Sequence, residues 1–500
     1  MEKSFLVGKS KDGDELSILL NKANRHGVIC GASGTGKSTT LKVMAEGFSN
    51  AGVPVFLADV KGDLASLCKK GEASESIQTR LENLGIKDRE FKDFPVKFWD
   101  VFAKNGHPIR TTIDSVGPDI LAIMLGLTET QEGVLDIAFR IANDNGLKLD
   151  DLKDLRLLLQ YVGDNKKEFT TKYGNITQPS IGVIQRSLLS LENQGADLFF
   201  GNPELDIFDL ITFSPEDGRG TINILDAVKL FDSPDLYASF LLWLLINLYT
   251  KMPEVGDLDK PKVVFFFDEA HLLFNGIAPY RLKKIVQIVK LIRSKGIGLY
   301  FISQSITDIP DEILAQMGNR IQHGVRAYTP TELKNVKVAA NSFRANSKFN
   351  TEKEITSLGT GEALISFQNE KGEPEVVEKA TILPPQSSFG TIDSATRENI
   401  IKSSNIYGKY DTPVERDSAY EQLDKLLKEK IEKDLEEKNK AKEEVETAKA
   451  TKAEKQAQAK EDKEKAKRDK KMEKLRDRLI GNAASTIERK VLNSILKKIF

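Results

Sequence analysis

Eight consecutive residues, Gly31-Ala-Ser-Gly-Thr-Gly36-Lys37-Ser38, carry the spacing G-x-x-x-x-G-K-[ST] used to hold a nucleotide triphosphate. The chemistry follows from the residue types. Glycine at 31, 34 and 36 lets the backbone bend so that successive N–H groups, those of Ser33 and Thr35 among them, face phosphate oxygens. Lys37 adds a positive charge at the β/γ-phosphates, and the Ser38 hydroxyl is placed to ligate Mg²⁺. Thr39 opens a helix-compatible run to Phe48, whose positive dipole end aims at the same anion. A chance glycine-rich turn is the competing reading. Apolar Val28, Ile29 and Cys30 before the loop and the helix after it weigh against that.

A second group lies far downstream, where Val263-Val-Phe-Phe-Phe runs into Asp268-Glu269. Five apolar residues predict a strand buried on both faces, with two acids at its carboxyl end. There Asp268 can hold Mg²⁺ through water, and Glu269 can polarise the water that attacks the γ-phosphate. Acids that merely end a strand are the alternative for either carboxylate alone. Gly298-Leu-Tyr-Phe-Ile-Ser303-Gln304 predicts another buried strand, and Gln304 is the candidate to sense the γ-phosphate, against a plain structural hydrogen bond. Hydrolysis of this kind generally uses an arginine beside the γ-phosphate, often from a neighbouring subunit. Arg320 and Arg326 are the candidates, with Arg293 third, and surface pairing competes for each.

These residues need a parallel sheet whose carboxyl ends converge, since ligands sit beyond those ends. Val53 to Asp59 predicts a further buried strand, which places Asp59, Lys61 and Asp63 near the nucleotide; a helix-capping role for Asp63 is an equal rival. The rest of the chain reads as a β-rich lead-in at 1–25, a first part of the core at 26–117 and a helical insertion at 118–202. A second part of the core at 203–385 closes with a hairpin of Gly361 to Phe367, a turn at Asn369 to Gly372 and a return at Glu375 to Glu378. Pro384-Pro385 then ends the globular part. A linker follows at 386–419, a solvated Lys/Glu/Ala helix at 420–479, and an amphipathic helix at 480–500 suited to a protein partner or, second, a membrane surface.

Composition narrows the class. With 500 residues and a net charge of -1, the chain is large enough for a substantial core and has no global attraction to nucleic acid. Cys30 and Cys68 cannot form a disulfide framework, and the four histidines lack metal-ligand spacing, so His26 and His271 read as structural. No apolar signal core follows Met1, and the run Phe240 to Tyr249 is too short to span a membrane, which predicts a cytoplasmic protein.

The segment Arg25 to Ser38, the step Asp59-Val-Lys-Gly-Asp63, the Asp268-Glu269 strand and the Gln304 strand end together resemble the HerA-like ATPases of the HerA–FtsK class. Asn319 to Gln322 and Gly359 to Phe367 resemble a bacterial subfamily of them. The resemblance covers roughly residues 5 to 385. It implies an α/β, additional-strand RecA-like core, Mg²⁺-ATP hydrolysis at subunit interfaces, and a hexameric ring that moves double-stranded DNA. The string Asp268-Glu269-Ala270-His271 also suits a two-lobed DEAH-box helicase, but too little globular chain follows it for a second lobe. A nucleotide-switched scaffold that recruits a partner through its charged tail is the rival from another class.

Overall fold

The computed structural model describes residues 3–274 and 278–481. The chain divides into two units, Met1–Leu423 and Asp424–Phe500. Among the described residues twelve strands form one sheet. They are β1 Ser4–Ser10, β2 Glu15–Leu19, β3 Gly27–Cys30, β4 Val55–Asp59, β5 Val96–Asp100, β6 His107–Pro108, β7 Ile222–Asp226, β8 Val263–Phe267, β9 Ile297–Ser303, β10 Asn319–His323, β11 Glu362–Ser366 and β12 Glu378–Ile382. Their order across the sheet is β2-β1-β12-β11-β10-β3-β9-β8-β4-β7-β5-β6. From β10 to β6 every pairing is parallel, and from β10 back to β2 every pairing is antiparallel. The fold is therefore α/β with a mostly parallel sheet, as the resemblance implies.

Strand β9 lies between β3 and β8, with Cys30 opposite Ser303 and Phe267 opposite Phe301. The additional strand thus separates the glycine loop from the acidic pair, yet all three strands end on one edge. Their continuous apolar sequences follow from burial on both faces. In β8, Val263, Phe265 and Phe267 enter one core while Val264 and Phe266 enter the other.

Fourteen α-helices are seen among the described residues: α1 Lys37–Asn50, α2 Glu75–Asn83, α3 Ile113–Met124, α4 Glu129–Asp144, α5 Leu152–Asp164, α6 Lys166–Tyr173, α7 Gln178–Asn193, α8 Pro234–Lys251, α9 Pro279–Leu291, α10 Asp311–Leu314, α11 Pro330–Asn341, α12 Thr351–Ser357, α13 Ser394–Ser403 and α14 Ala419–Gly481. Helices α3 to α7 lie in sequence between β6 and β7, and α3 is broken at Gly117 (φ 72°, ψ 166°), so a first turn from Ile113 precedes a helix that starts at Pro118. Their starts are written locally. Asp151 accepts the Lys153 and Asp154 N–H groups, and the Asp154 carboxylate returns to the Asp151 N–H, a reciprocal cap for α5. Helix α8 is apolar all round because it is buried, and no described helix is long and apolar enough to cross a membrane.

Two expectations need correction. The return strand of the closing hairpin is Glu378–Ile382, not Glu375 to Glu378; Ala380 and Ile382 are its buried positions, and it pairs with β11 on one side and β1 on the other. Residues 386–419 are no linker either. Ser387, Ile406, Tyr410 and Ala419 are buried, and Arg397 stacks over the Phe98 ring at 4.6 Å. These anchors are too far apart to show a period in the sequence. The charged stretch from 420 is helical in α14, whereas the amphipathic helix expected at 480–500 falls almost wholly outside the described residues.

Candidate active site

The glycine loop crosses from β3 to α1 with Gly34 at φ 77°, a left-handed conformation, and a side chain there would project into open space. That open hollow is where an anion would rest. Gly36 caps α1 and brings no side chain to its first N–H groups, which a helix start offers to an anion. The buried Lys37 amine donates to the carbonyls of Gly31 (2.5 Å) and Ala32 (3.2 Å), and Thr35 Oγ1 donates to Ala32 O at 2.7 Å. Burial, then the nearby Lys61, lowers the Lys37 pKa, and Asp268 and Glu269 oppose the shift. Ser33 and Gly34 are exposed; Ser38 and Thr39 are half-buried in the first turn of α1.

Across β9, Asp268 follows β8 directly. Its carboxylate accepts the Glu269 N–H at 2.9 Å, and the Tyr237 hydroxyl of α8 donates to its carbonyl at 2.9 Å. Burial, then the Glu269 charge, raises the Asp268 pKa to about 6; Lys61 and Lys37 pull it back. Glu269 is buried in a left-handed conformation (φ 49°, ψ 44°), and its Oε2 has no hydrogen bond. Such strain in a non-glycine residue is typical of working sites. Gln304 stands exposed just past the end of β9, between the two segments. The structure therefore brings Lys37, Ser38, Asp268, Glu269 and Gln304 to one edge.

Asp59 ends β4 on the same edge, beside β8, but its carboxylate is engaged within its own turn, and Arg320 lies away from that edge. Both oxygens of buried Asp59 are taken by its own chain: Oδ1 accepts the Gly62 N–H, and Oδ2 accepts those of Leu64 and Ala65. It holds the turn that carries Lys61, the capping role weighed for Asp63. Arg320 is the second residue of β10, toward the end away from the loop, since its parallel partner is Val28. Its guanidinium donates to the carbonyls of Leu314 (2.9 Å), Met317 (3.1 Å) and Ser342 (2.8 Å), so it closes the ends of neighbouring helices inside its own chain. Arg326 is placed differently. It is exposed in the loop after β10, and Gly324 at the root of that loop accepts the Ala32 N–H at 3.0 Å.

Sequence reasoning missed the floor of the loop. His323 is fully buried beneath it, and a methyl group on Gly31 would lie 2.5 Å from the His323 Cβ. Its Nδ1–H donates to Glu362 O at 3.0 Å, and Nε2 accepts the Thr40 hydroxyl at 2.8 Å. Burial lowers its pKa to about 4. Gly361 N–H donates to Thr35 O at 2.9 Å, while Arg80 Nη2 holds Gly361 O at 2.6 Å. No local pattern signals these contacts, because they join α1, α2, β10 and β11. His26 is structural: Nε2–H donates to Val289 O at 2.8 Å, and Nδ1 accepts the Leu299 N–H.

The chain matches the model of the helicase HerA-like C-terminal family over residues 4–500. The DNA double-strand break repair helicase HerA of Saccharolobus solfataricus is 24% identical over 368 residues, covering 72% of this chain and 64% of that protein. The protein of the same name from Sulfurisphaera tokodaii is 23% identical over 378 residues, covering 73% of this chain and 67% of its own length. The chain thus spans about two thirds of these relatives. Among solved structures, the bacterial conjugative coupling protein TrwBdeltaN70 in its unbound monoclinic form superposes with a TM-score of 0.50 at 13% identity, over 77% of this chain and 92% of that one. That likeness is one of fold.

Proposed function

Because the chain belongs to the helicase HerA-like C-terminal family, we propose that it is a Mg²⁺-dependent ATPase that drives a ring-shaped motor on double-stranded DNA. The observation that supports this most is the convergence of Lys37 with Asp268 and Glu269 on one edge, across β9. The donor set fits Mg²⁺-ATP: open space beside Gly34, a helix start without a side-chain cap, a hydroxyl at Ser38 and a half-buried carboxyl at Asp268.

Each side chain then has a role. The Gly31 to Thr39 backbone binds the phosphates, and the Lys37 amine exchanges the Gly31 and Ala32 carbonyls for phosphate oxygens. Ser38 and Asp268 hold Mg²⁺, which neutralises charge on the phosphates when bound. Glu269 takes a proton from the attacking water. Gln304 contacts the γ-phosphate, and Arg326 is the candidate offered to a neighbouring subunit. Such a ring works in the cytoplasm as a homo-hexamer, with the charged tail free for a protein partner.

The test is steady-state ATP turnover with and without duplex DNA, with particle mass measured in both nucleotide states. A DNA motor gives turnover that rises with duplex and loses the rise at raised salt, since phosphate contacts are salt-sensitive. The second reading, an ATP-switched scaffold, draws on the long exposed α14. Turnover indifferent to every form of DNA favours it.

A further inference from the structure

The short helical turn that follows the acidic pair aims a second side chain at it. Ala270 and Leu273 are buried in the core and fix this turn, while Leu272 N–H donates to Glu269 O at 3.0 Å. His271 sits between these anchors with its Nδ1 3.4 Å from Glu269 Oε2. Both atoms are buried, and neither has a hydrogen bond, to the other or to any third group. Buried polar atoms rarely stay unpaired, and two left unpaired only 3.4 Å apart point to a bond made in another state of the site.

Resting on the reading of Glu269 as the group that activates water, we propose that His271 is a positioning residue for it. The Nδ1–H closes on Oε2, which leaves Oε1 alone to face the attacking water. In the step itself the water oxygen bonds to the γ-phosphorus as the bond to the β–γ bridging oxygen breaks. One water proton passes to Glu269 Oε1, the other stays on the released phosphate, and ADP leaves with the electron pair. His271 gains and loses no proton. Its contribution is to fix one oxygen of a carboxylate whose backbone is already held in a left-handed turn.

The experiment uses the full chain with His271→Ala, His271→Asn, Glu269→Gln and the double variant His271→Ala/Glu269→Gln. Binding of a fluorescent ATP analogue and thermal melting accompany the rates. The expected result is a kcat roughly 10- to 100-fold lower in His271→Ala with KM changed less than about 2-fold. His271→Asn, whose amide can donate from nearly the same place as Nδ1, recovers most of the rate. In the Glu269→Gln background the His271→Ala change has no further effect, because coupled groups are not additive. A slow Glu269→Gln with an unaffected His271→Ala overturns the proposal alone. Equal losses from His271→Ala in both backgrounds overturn it too, as general damage. Wild-type turnover in Glu269→Gln removes the reading of Glu269 itself, and the proposal with it. Should His271→Ala fail to fold, the rate of His271→Asn decides: near wild-type supports the contact, and a loss equal to that of Glu269→Gln overturns it.

Discussion

His323 and Asp268, on either side of β3 and β9, respond to acid in opposite senses. The folded pKa of His323 is about 4 against an ordinary 6.5, so from pH 6.5 downward the unfolded chain takes a proton that the folded one refuses. Its contribution is therefore lost as pH falls from 6.5 toward 4, by up to about 3 kcal/mol. Asp59 and Asp268, both raised to about 6, protonate first in the folded state and favour it over the lower part of that window. Comparing His323→Gln with wild type isolates the histidine: the stability gap from denaturant melts should narrow between pH 7 and pH 4.5. A gap of constant size would refute the buried neutral ring. Arg320 makes a second case. Its three backbone acceptors predict that Arg320→Ala loses on the order of 3 kcal/mol. Mixing it with wild-type subunits should restore no rate, as the residue works inside its own chain; recovery above the wild-type fraction would return it to a role in trans. The sequence reading ranked Arg320 as a candidate because an arginine near a strand shows its charge but not its direction along the sheet. Lys37, Asp268 and Glu269 were legible since spacing and a flanking apolar strand define them together.

At the scale of elements, the helix that carries the loop is held from behind. Glu46 on α1 is fully buried and accepts the N–H groups of Gln386 and Ser387 and the Ser387 hydroxyl. Burial raises its pKa, and these bonds work against the shift. Lys42, one turn earlier, reaches Ser388 O at 2.7 Å and the Ser66 hydroxyl. Glu46→Ala leaves two buried donors and one half-buried donor without acceptors, which predicts a loss of about 3 kcal/mol. The melting temperature should fall, while ATP turnover per folded molecule stays near wild type at low temperature. Sequence pattern does not reveal this contact, because Gln386 lies 340 positions from Glu46 and a glutamate within a helix reads as solvated. Elements with strong local signals were legible: β8 by its continuous apolar run, α8 by its all-round apolarity. Those fixed by distant partners were misplaced. Strand β12 shifted by three residues because β1, not the turn, seats it.

For the whole molecule the question is where the folded unit ends. The prolines at 384–385 look like a terminus, yet buried positions continue through Ile406, Tyr410, Ala419 and Leu423. Arg110 donates to Tyr410 O at 2.7 Å, and buried Asp154 accepts both the Ser418 hydroxyl and the Tyr420 N–H. Beyond Leu423 no residue from 424 to 476 is buried, and pairs such as Lys428–Asp424 at 2.6 Å lie on an exposed face. Exposed pairs of this kind contribute roughly 0.3–0.5 kcal/mol each, too little to anchor a domain. Two truncations separate these regions. A chain ending at Leu423 should melt within about 2 °C of the full protein and keep its basal ATP turnover, because no residue from 424 to 476 is buried. A chain ending at Pro385 removes the acceptor-matched partners of Glu46 and Asp154 and should aggregate or melt at least about 8 °C lower. If the Leu423 chain instead loses its basal turnover while remaining folded, the charged helix belongs to the catalytic assembly. If it keeps turnover but no longer captures a partner that the full chain binds, the helix is a recruiting arm, and the ATPase is complete without it.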